Sequence, residues 1–482
     1  MPILITLGSG LTCLMFIAGD SSLHTEHTVS GNVTALFGVI LALMVFCLAF
    51  EEKLHAKKSL ITGIFAVISL LFATALDLLP FGETINVFGE KLKLPIYIPG
   101  VDWEVIAIIV GASIFVDVTS KSGLFSWIAI KLTKKSGGDP MKLLIYYGLM
   151  TVIFSAVLNN VTAMIIIGSL TGVSLKKLDR EDKLLGFLMI EGLLTNVGGL
   201  LTLISSVPNI IVGNLAGITF VEFFIKAAPF VVVATVVTLG LGMKIFKIEK
   251  LQSDHERNAA QELVDSFDEN DGIPSRAFFR YSIVLFSLLI LCFSTQSVLP
   301  LLKQLGMGFV ALMFAFIALL KYRHEVNKFY TNIDWDLIIF FMTLFVVINV
   351  MEHAKVLEKI GEGIAILTSL GTRGGGATIL WASGIASAVT DNIPLSAMLG
   401  KILNTLPGTG YSQTPGFWWS VIFGSNLGGN ITPIGSASTV VAVTMMHKYQ
   451  IKMSFAGFVS KAFIFAFVQL VIATFYVVLF LS

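Results

Sequence analysis

The sequence is poor in charge. Of its 482 residues only 13% are Asp, Glu, Lys or Arg, whereas 55% are hydrophobic; a soluble globular chain carries about 25% charged residues. This composition excludes folding in water and indicates a protein that lies in a lipid bilayer. The 32 basic and 31 acidic residues leave a net charge of +1, so no charge excess indicates a nucleic-acid partner or a polybasic membrane-surface switch.

Cysteine and the common catalytic motifs are also scarce. The three cysteines, Cys13, Cys47 and Cys292, lie in apolar runs without metal-ligand spacing or a disulfide framework. The chain has no HExxH, no GxSxG elbow and no GxxxxGK[ST] phosphate loop. The sequence therefore does not favour an enzyme and predicts no cofactor, and an ATPase partner is possible but unindicated.

Long apolar stretches recur along the chain, and about 20 helical residues suffice to cross a hydrocarbon layer of about 30 Å. Spanning helices are predicted near residues 33–50, 59–80, 101–118, 223–243, 282–297, 305–320, 336–351 and 460–481. Two longer segments, 184–215 and 416–446, contain Asn-x-Gly-Gly in their middle and predict two discontinuous helices. Residues 1–20 form either a further helix or a cleaved signal, although the absence of Lys and Arg before Lys53 argues against a signal.

The apolar stretch 143–175 does not fit a simple count of spans. Lysines flank it on both sides, and basic loops lie on the cytoplasmic side of membranes. The stretch is therefore interpreted as a re-entrant hairpin with its tip at Asn159 and Asn160. Irregular backbone at that depth requires protein or water around it, so the hairpin belongs inside a helix bundle.

An internal duplication relates the two halves of the chain. A shift of about 232 residues aligns Asp102-Trp103 with Asp334-Trp335 and the block 155–161 with 387–393; a shift of 230 aligns 195–199 with 425–429. The basic loops place the two halves in opposite orientations, with a second hairpin near 378–403. The predicted organisation is an N-terminal segment at 1–32, a first inverted repeat at 33–243, a charged cytoplasmic linker at 244–281 and a second inverted repeat at 282–482.

Polar side chains concentrate at the hairpin tips and helix breaks. Amide and hydroxyl oxygens suit a hard cation, and unwound helices in inverted-repeat transporters bind ions near the midplane. The predicted ion and substrate ligands are Asn159, Asn160, Thr162, Thr195, Asn196, Asn209, Thr390, Asp391, Asn392, Ser425, Asn426 and Thr439, with Na⁺ at Asn160, Asn196, Asn392 and Asn426. Each of them taken alone could instead bond helix to helix or cap a helix end.

Asp391 is the strongest of these candidates, because the aligned residue of the first half is the neutral Asn159. Burying a carboxylate at membrane depth costs free energy, so such a residue indicates an ion or proton pathway by default. Asp117 and Glu191 are further candidates for proton coupling, although either could lie near a helix end or bind a nearby base.

These blocks also carry a resemblance. The sequences SAVLNNVTAM at 155–164, TNVGG at 195–199, SAVTDNIPLSAM at 387–398 and GSNLGGNITPIGSAS at 424–438 resemble the ion transporter superfamily. Within it the chain looks most like the arsenite permease and NhaD-type sodium/proton antiporter group, to which the P protein is similar. The resemblance implies a scaffold domain, a mobile transport domain, an elevator-like motion and a homodimer. One departure makes the two sites unequal, since Asn430 completes a Gly-Gly-Asn break for which the first half has Leu200.

The sequence thus predicts an all-α integral membrane protein with two inverted repeats, acting as a secondary active transporter. Na⁺/H⁺ exchange is the preferred reaction because of Asp391, with Na⁺ and H⁺ as coupling ions, a small inorganic ion as substrate and a bacterial inner membrane as location. A cation-driven permease for arsenite or another small inorganic or organic anion is the rival within that class. An ion channel is the alternative from another class.

Overall fold

The computed structural model describes residues 29–80, 84–85, 89, 91–95 and 97–482. This part of the chain is helical apart from one small antiparallel ribbon, formed by β1 (Thr84–Ile85) and β2 (Lys91–Leu92). The apolar stretch at residues 1–20, interpreted above as a helix or a signal, lies outside the described residues.

The helices are numbered in chain order. The first half contains α1 (Gly31–Ala49), α2 (Glu51–Leu54), α3 (Lys58–Ala75), α4 (Trp103–Ser120), α5 (Leu124–Ser136), α6 (Pro140–Val157), α7 (Asn160–Lys177), α8 (Leu184–Gly198), α9 (Val207–Ala216) and α10 (Phe220–Ile245). The remainder contains α11 (Asp254–Asp265), α12 (Arg276–Thr295), α13 (Pro300–Leu319), α14 (Val326–Thr331), α15 (Trp335–His353), α16 (Val356–Thr368), α17 (Gly371–Val389), α18 (Asn392–Thr405), α19 (Pro415–Gly428), α20 (Ala437–Lys448) and α21 (Phe455–Tyr476).

Within the described residues, nine helices are long and apolar enough to cross a membrane. Eight of them, α1, α3, α4, α10, α12, α13, α15 and α21, match the predicted spans. The ninth is α6, the first arm of the stretch 143–175, whose 18 residues extend about 27 Å. The predicted span at 282–297 begins too late, because the side chain of Ser275 caps α12 and starts the helix at Arg276.

In the described part of the chain, helices are interrupted at four places where the sequence predicted hairpin tips or breaks. Leu158 and Asn159 have extended backbone between α6 and α7, and Thr390 and Asp391 have the same conformation between α17 and α18. The segments 184–215 and 416–446 are each divided in two, as α8 with α9 and α19 with α20. Both predicted discontinuous segments are therefore broken after their Gly-Gly pair.

The helices on either side of these breaks pack closely. α6 contacts α8, and α17 contacts α19. Away from the breaks, α3 lies against α15, and α4 lies against α13. Small residues permit the first two contacts, because a Cβ on Gly198 would lie 2.7 Å from the Val152 backbone and one on Gly428 would overlap the Gly384 backbone. The second helix of each broken segment packs against the other half of the chain: α9 contacts α18, and α20 contacts α7.

The segment predicted as a charged linker, 244–281, is anchored to the first half. It contains α11, which a capping box of Ser253 and Glu256 begins. The backbone N–H of Leu251 donates to Asp139 at 3.0 Å, and Lys134 Nζ lies 2.6 Å from a carboxylate oxygen of Glu269. These contacts hold the linker against α5 and the start of α6.

Candidate functional site

The residues predicted at the hairpin tips begin two helices. The side chain of Asn159 accepts a hydrogen bond from the backbone N–H of Val161 at 2.8 Å. Oδ1 of Asp391 accepts the equivalent bond from Ile393 at 2.9 Å. Both side chains are thus N-caps, of α7 and α18, and they satisfy a backbone donor that the break leaves without a partner.

Two broken helices, α8 and α19, are joined to the opposite half by buried hydrogen bonds. Ser206, before α9, donates to Asn426 Oδ1 in α19 at 2.7 Å. Ser436, before α20, donates to Asn196 Oδ1 in α8 at 3.0 Å. Because all four side chains are buried, these bonds replace the water that the amides and hydroxyls would otherwise need.

Further hydrogen bonds recur at the offset of the duplication. Ser155 donates to the carbonyl of Thr195, and Ser387 donates to that of Ser425, each at 2.6 Å. Thr202 donates to the carbonyl of Ala156, and Thr432 does the same to Ala388. In both halves these bonds attach the helix before the tip to the broken helix that follows.

The predicted sodium ligands are only partly brought together. Asn160 donates to Asn196 Oδ1 at 3.3 Å, and Asn426 donates to Asn209 Oδ1 at 2.9 Å. Asn392 is buried, but within the described part of the chain no hydrogen bond joins it to Asn426. Of the four amides, only Asn160 and Asn196 are therefore directly joined in the described part of the chain.

Several polar residues that the sequence did not predict complete the centre. Asn196 donates to Asn430 Oδ1 at 2.8 Å, Asn430 donates to Gln469 Oε1 at 2.8 Å, and Gln469 donates to Thr238 at 2.9 Å. Ser438 donates to Asn196 Oδ1 at 3.0 Å. Asn430 could have been identified from the sequence, because it completes a Gly-Gly-Asn break that the first half lacks. Gln469 and Thr238 lie in long apolar helices with no motif around them.

The other predicted ligands contact their own helices. The hydroxyls of Thr195, Thr390, Ser425 and Thr439 each donate to a backbone carbonyl three or four residues earlier. Such bonds leave the oxygen lone pairs available to a cation. Thr162 is half-buried in the first turn of α7.

Asp391 lies in the wall of a cavity of about 1390 Å³ that follows one face of α1. Its side chain is 7% exposed, and its Oδ2 lies 2.5 Å from Nζ of Lys58, the first residue of α3. Glu51 Oε1 lies 3.6 Å from the same Nζ. Sequence reasoning used Lys58 only to orient a loop, since nothing in the pattern indicates a contact between residues so far apart in the chain.

The two other acidic candidates differ in their surroundings. Asp117, near the end of α4, accepts from Asn332 at 3.0 Å and lies 3.9 Å from Lys121. Glu191 is fully buried in α8, where Oε1 accepts from Thr171 at 2.6 Å and Oε2 has no hydrogen-bond partner among the described residues.

Broken helices that meet around buried amides, inside a bundle of apolar helices, define the architecture of secondary transporters. A sequence profile described as CitMHS, citrate transporter, matches residues 33–424, and the chain belongs to this family. It is therefore a multi-pass integral membrane protein and a secondary transporter rather than an enzyme. The resemblance to the ion transporter superfamily is confirmed, whereas the finer assignment to the arsenite permease and NhaD-type group stays a prediction.

The chain is also similar to individual transporters and related proteins. An uncharacterized transporter of Mycobacterium bovis is 26% identical over 445 residues, which cover 91% of this chain and 97% of that protein. The human P protein is 24% identical over 519 residues, covering 92% of this chain and 58% of the P protein. The crystal structure of the YdaH transporter of Alcanivorax borkumensis is similar with a TM-score of 0.54 at 10% identity, covering 92% of this chain and 97% of that one. At that identity the likeness shows the fold alone.

Proposed function

We propose that the chain exchanges Na⁺ for H⁺ across a bacterial inner membrane, with Asp391 as the group that carries the cation or the proton. The observation on which this proposal rests is the position of Asp391, a carboxylate at a helix break in the wall of a large cavity. A cation, the Lys58 ammonium, already lies against it, so the site accommodates positive charge.

The supporting framework is a pair of inverted repeats whose broken helices meet in the middle of the bundle. The reciprocal bonds from Ser206 to Asn426 and from Ser436 to Asn196 are those expected of two halves related by a two-fold axis. The extended residues before α7 and α18 are the points at which two re-entrant hairpins would turn. A transport domain built from these elements would move as one body against α3, α4, α13 and α15 in an elevator-like step, within a homodimer.

The oxygens available to Na⁺ lie close to these breaks. Asn160 and Asn196 lie together in one half, and Asn392 lies beside Asp391 in the other. Amide and carboxylate oxygens are the donors that a hard, weakly polarisable cation prefers. Because only the second half carries a carboxylate at its tip, the alternation between sodium and a proton is assigned to that tip.

A second candidate function is cation-driven uptake of a small anion such as citrate or arsenite. The family profile is described as a citrate transporter, and Lys58 places an ammonium in the cavity wall, where a substrate carboxylate or oxyanion would bind. In this case Lys58 would contact the substrate directly, and Na⁺ or H⁺ would serve only as the driving ion.

Transport by the purified chain in proteoliposomes separates the two functions. An imposed Na⁺ gradient should move protons in the opposite direction, and Asp391→Asn should abolish this flux. The variant preserves the helix start, because Asn159 caps α7 with the same amide group. Glu222→Gln is the control, since Glu222 also pairs with a lysine but lies away from the breaks.

The two results have opposite consequences. Exchange that survives in Glu222→Gln and disappears in Asp391→Asn supports the proposal. Uptake of citrate or arsenite under a Na⁺ gradient, without counterflow of protons, would overturn it in favour of anion transport.

A further inference from the structure

We propose that Glu191 is a second proton-carrying group of the exchange: its carboxyl holds a proton in the absence of sodium and releases it when Na⁺ binds at Asn160 and Asn196. This inference rests on the proposed exchange at Asp391. It adds a carboxyl to the half of the chain whose hairpin tip carries the neutral Asn159.

Glu191 lies in the middle of α8 and is fully buried. Its Oε1 accepts a hydrogen bond from the hydroxyl of Thr171 in α7 at 2.6 Å, and its Oε2 has no partner among the described residues. An ionisable side chain at membrane depth indicates an ion or proton pathway. A single hydroxyl donor does not provide the pairing that a buried charge needs, so this place accommodates the neutral acid while no cation is near.

The basic side chains around α8 lie towards the ends of the helices that pack against it. They are Lys142 of α6, Lys176 and Lys177 of α7, Lys226 and Lys244 of α10, His447 and Lys448 of α20, and Lys461 of α21. In the described part of the chain none of them lies within ion-pair distance of Glu191. Tyr147 of α6 is the titratable group that interacts with Glu191, and a phenol is uncharged near neutral pH. The charge of this place therefore depends on the proton of Glu191 and on any cation that enters.

Glu191 lies little more than one helical turn from the predicted sodium ligands. The hydroxyl of Thr195, four residues on, donates to the carbonyl of Glu191 at 3.0 Å, and Asn196 follows directly. Five residues of helix rise by about 7.5 Å. Over that distance in a buried region, a cation favours the ionised form of a carboxyl. By linkage, loss of the proton favours binding of the cation to the same extent.

Hydroxyl groups lead from Glu191 towards the cytoplasmic end of α7. Thr171 and Ser174 are three residues apart and therefore lie on one face of that helix. The half-buried Ser174 hydroxyl lies 2.7 Å from that of Tyr147, which lies 2.8 Å from that of Thr133. On release the O–H bond of Glu191 breaks, its electron pair stays on the carboxylate, and the proton passes by these hydroxyls to cytoplasmic water. One positive charge enters and one leaves, so the net charge of the buried centre is unchanged.

The experiment detects the protonated carboxyl directly. Addition of Na⁺ to the purified full chain in detergent, in exchange for K⁺ at constant ionic strength, should remove the infrared C=O stretching band of a protonated carboxylic acid. Glu191→Gln should lack this change and should release about one proton fewer for each Na⁺ bound. Glu104→Gln is the matched control, because Glu104 is a half-buried helix residue that also accepts a hydrogen bond, from the N–H of Met307 at 2.9 Å. Both signals should stay unchanged in this control.

Thr171→Val provides a second measurement that does not depend on the folding of Glu191→Gln. The substitution removes the hydroxyl bonded to Glu191 Oε1 and keeps the shape of the side chain. The carboxylic acid band should then move to higher frequency, because a carbonyl that loses a hydrogen bond has a stronger C=O bond.

The outcomes are distinct. A band that disappears with Na⁺ in the unaltered chain, is missing in Glu191→Gln and is shifted in Thr171→Val supports the inference. An unshifted band in Thr171→Val, an unchanged band and proton count in Glu191→Gln, or proton release without a carboxylic acid band assigns the proton to another group. Each of these overturns the inference and leaves the exchange standing. An unaltered chain that binds no Na⁺, or binds it without releasing a proton, contradicts the proposed exchange, and the inference fails with it.

Discussion

Ser206 donates a buried 2.7 Å hydrogen bond to Oδ1 of Asn426, so a residue of the first half satisfies the broken helix of the second. The reciprocal bond, from Ser436 to Asn196, serves the broken helix of the first half. Buried amide oxygens that lose their donors cost free energy. Each half therefore needs the other in order to bury its own break, and the two halves are expected to fold as one unit.

The first prediction concerns these reciprocal bonds. Ser206→Ala should lower the free energy of unfolding by about 1–3 kcal/mol, because the Asn426 oxygen loses a donor in a buried site. Ser436→Ala should cost less at Asn196, because its Oδ1 also accepts from Ser438 at 3.0 Å and from Asn160 at 3.3 Å. Unfolding in mixed micelles measures both, with Ser460→Ala as the control, because Ser460 is exposed and bonds within its own helix. Equal stability of all three variants would refute the structural role of the reciprocal bonds.

The second prediction concerns the contact of α8 with α6. A Cβ at position 198 would lie 2.7 Å from backbone atoms of Val152, so Gly198→Ala must separate the two helices. The expected loss is about 1–3 kcal/mol, typical of an overpacked core. Gly240→Ala is the control, since a Cβ there meets nothing within 4 Å, and Ala should even favour the helix. A destabilised control would show that loss of glycine itself, rather than the close contact, is harmful.

The third prediction concerns Glu191. Its carboxyl faces Thr171 but no lysine or arginine within ion-pair distance in the described part of the chain, so a charge there would gain nothing from a partner. Glu191→Gln keeps the side-chain volume and an acceptor for Thr171, and should therefore cost less than Glu191→Ala. Glu191→Ala should cost about 2 kcal/mol or more through the cavity that it leaves. If both variants unfold equally easily, Glu191 requires its charge.

The fourth prediction concerns the linker. The hydrogen bond from Lys134 lowers the pKa of Glu269 below its usual range. A carboxyl whose folded pKa is lowered stabilises the folded form above its unfolded pKa, and this contribution disappears as the pH falls through the folded value. Acidification below about pH 4 should therefore loosen the linker.

Hydrogen exchange of residues 266–275, corrected for the intrinsic pH dependence, tests this expectation. Glu269→Gln should remove the acid-induced increase in exchange, while the exchange of α12 stays the same. An increase of equal size in both proteins would assign the loosening to another acidic group.

The sequence predicted the helices better than the contacts between them. Eight spans followed from apolar length, and the two broken segments followed from Asn-x-Gly-Gly, because local chemistry decides both. The start of α12 was missed, since one serine cap outweighed the boundary of the apolar run. Lys58 was assigned to a loop, because its role depends on a residue 333 positions away and no local pattern records such a distance.

Local pattern also explains which parts of the site could be predicted. The tip residues Asn159 and Asp391 were identified because the duplication aligns them, and the structure places both at helix starts. Gln469 and Thr238 sit in apolar helices, where a single polar residue most often has only a packing role. Their connection to Asn430 depends on how α10 and α21 are arranged around the centre, which composition does not determine.

The two oxygens of Asp391 have different tasks. Oδ1 is held by the backbone N–H of Ile393, and only Oδ2 meets a mobile partner. In the proposed exchange, a cation that takes the place of the Lys58 ammonium would therefore meet Oδ2 first. The same side chain thus serves both the fold and the proposed exchange: Oδ1 keeps the start of α18 in place, while Oδ2 faces the cavity wall at Lys58.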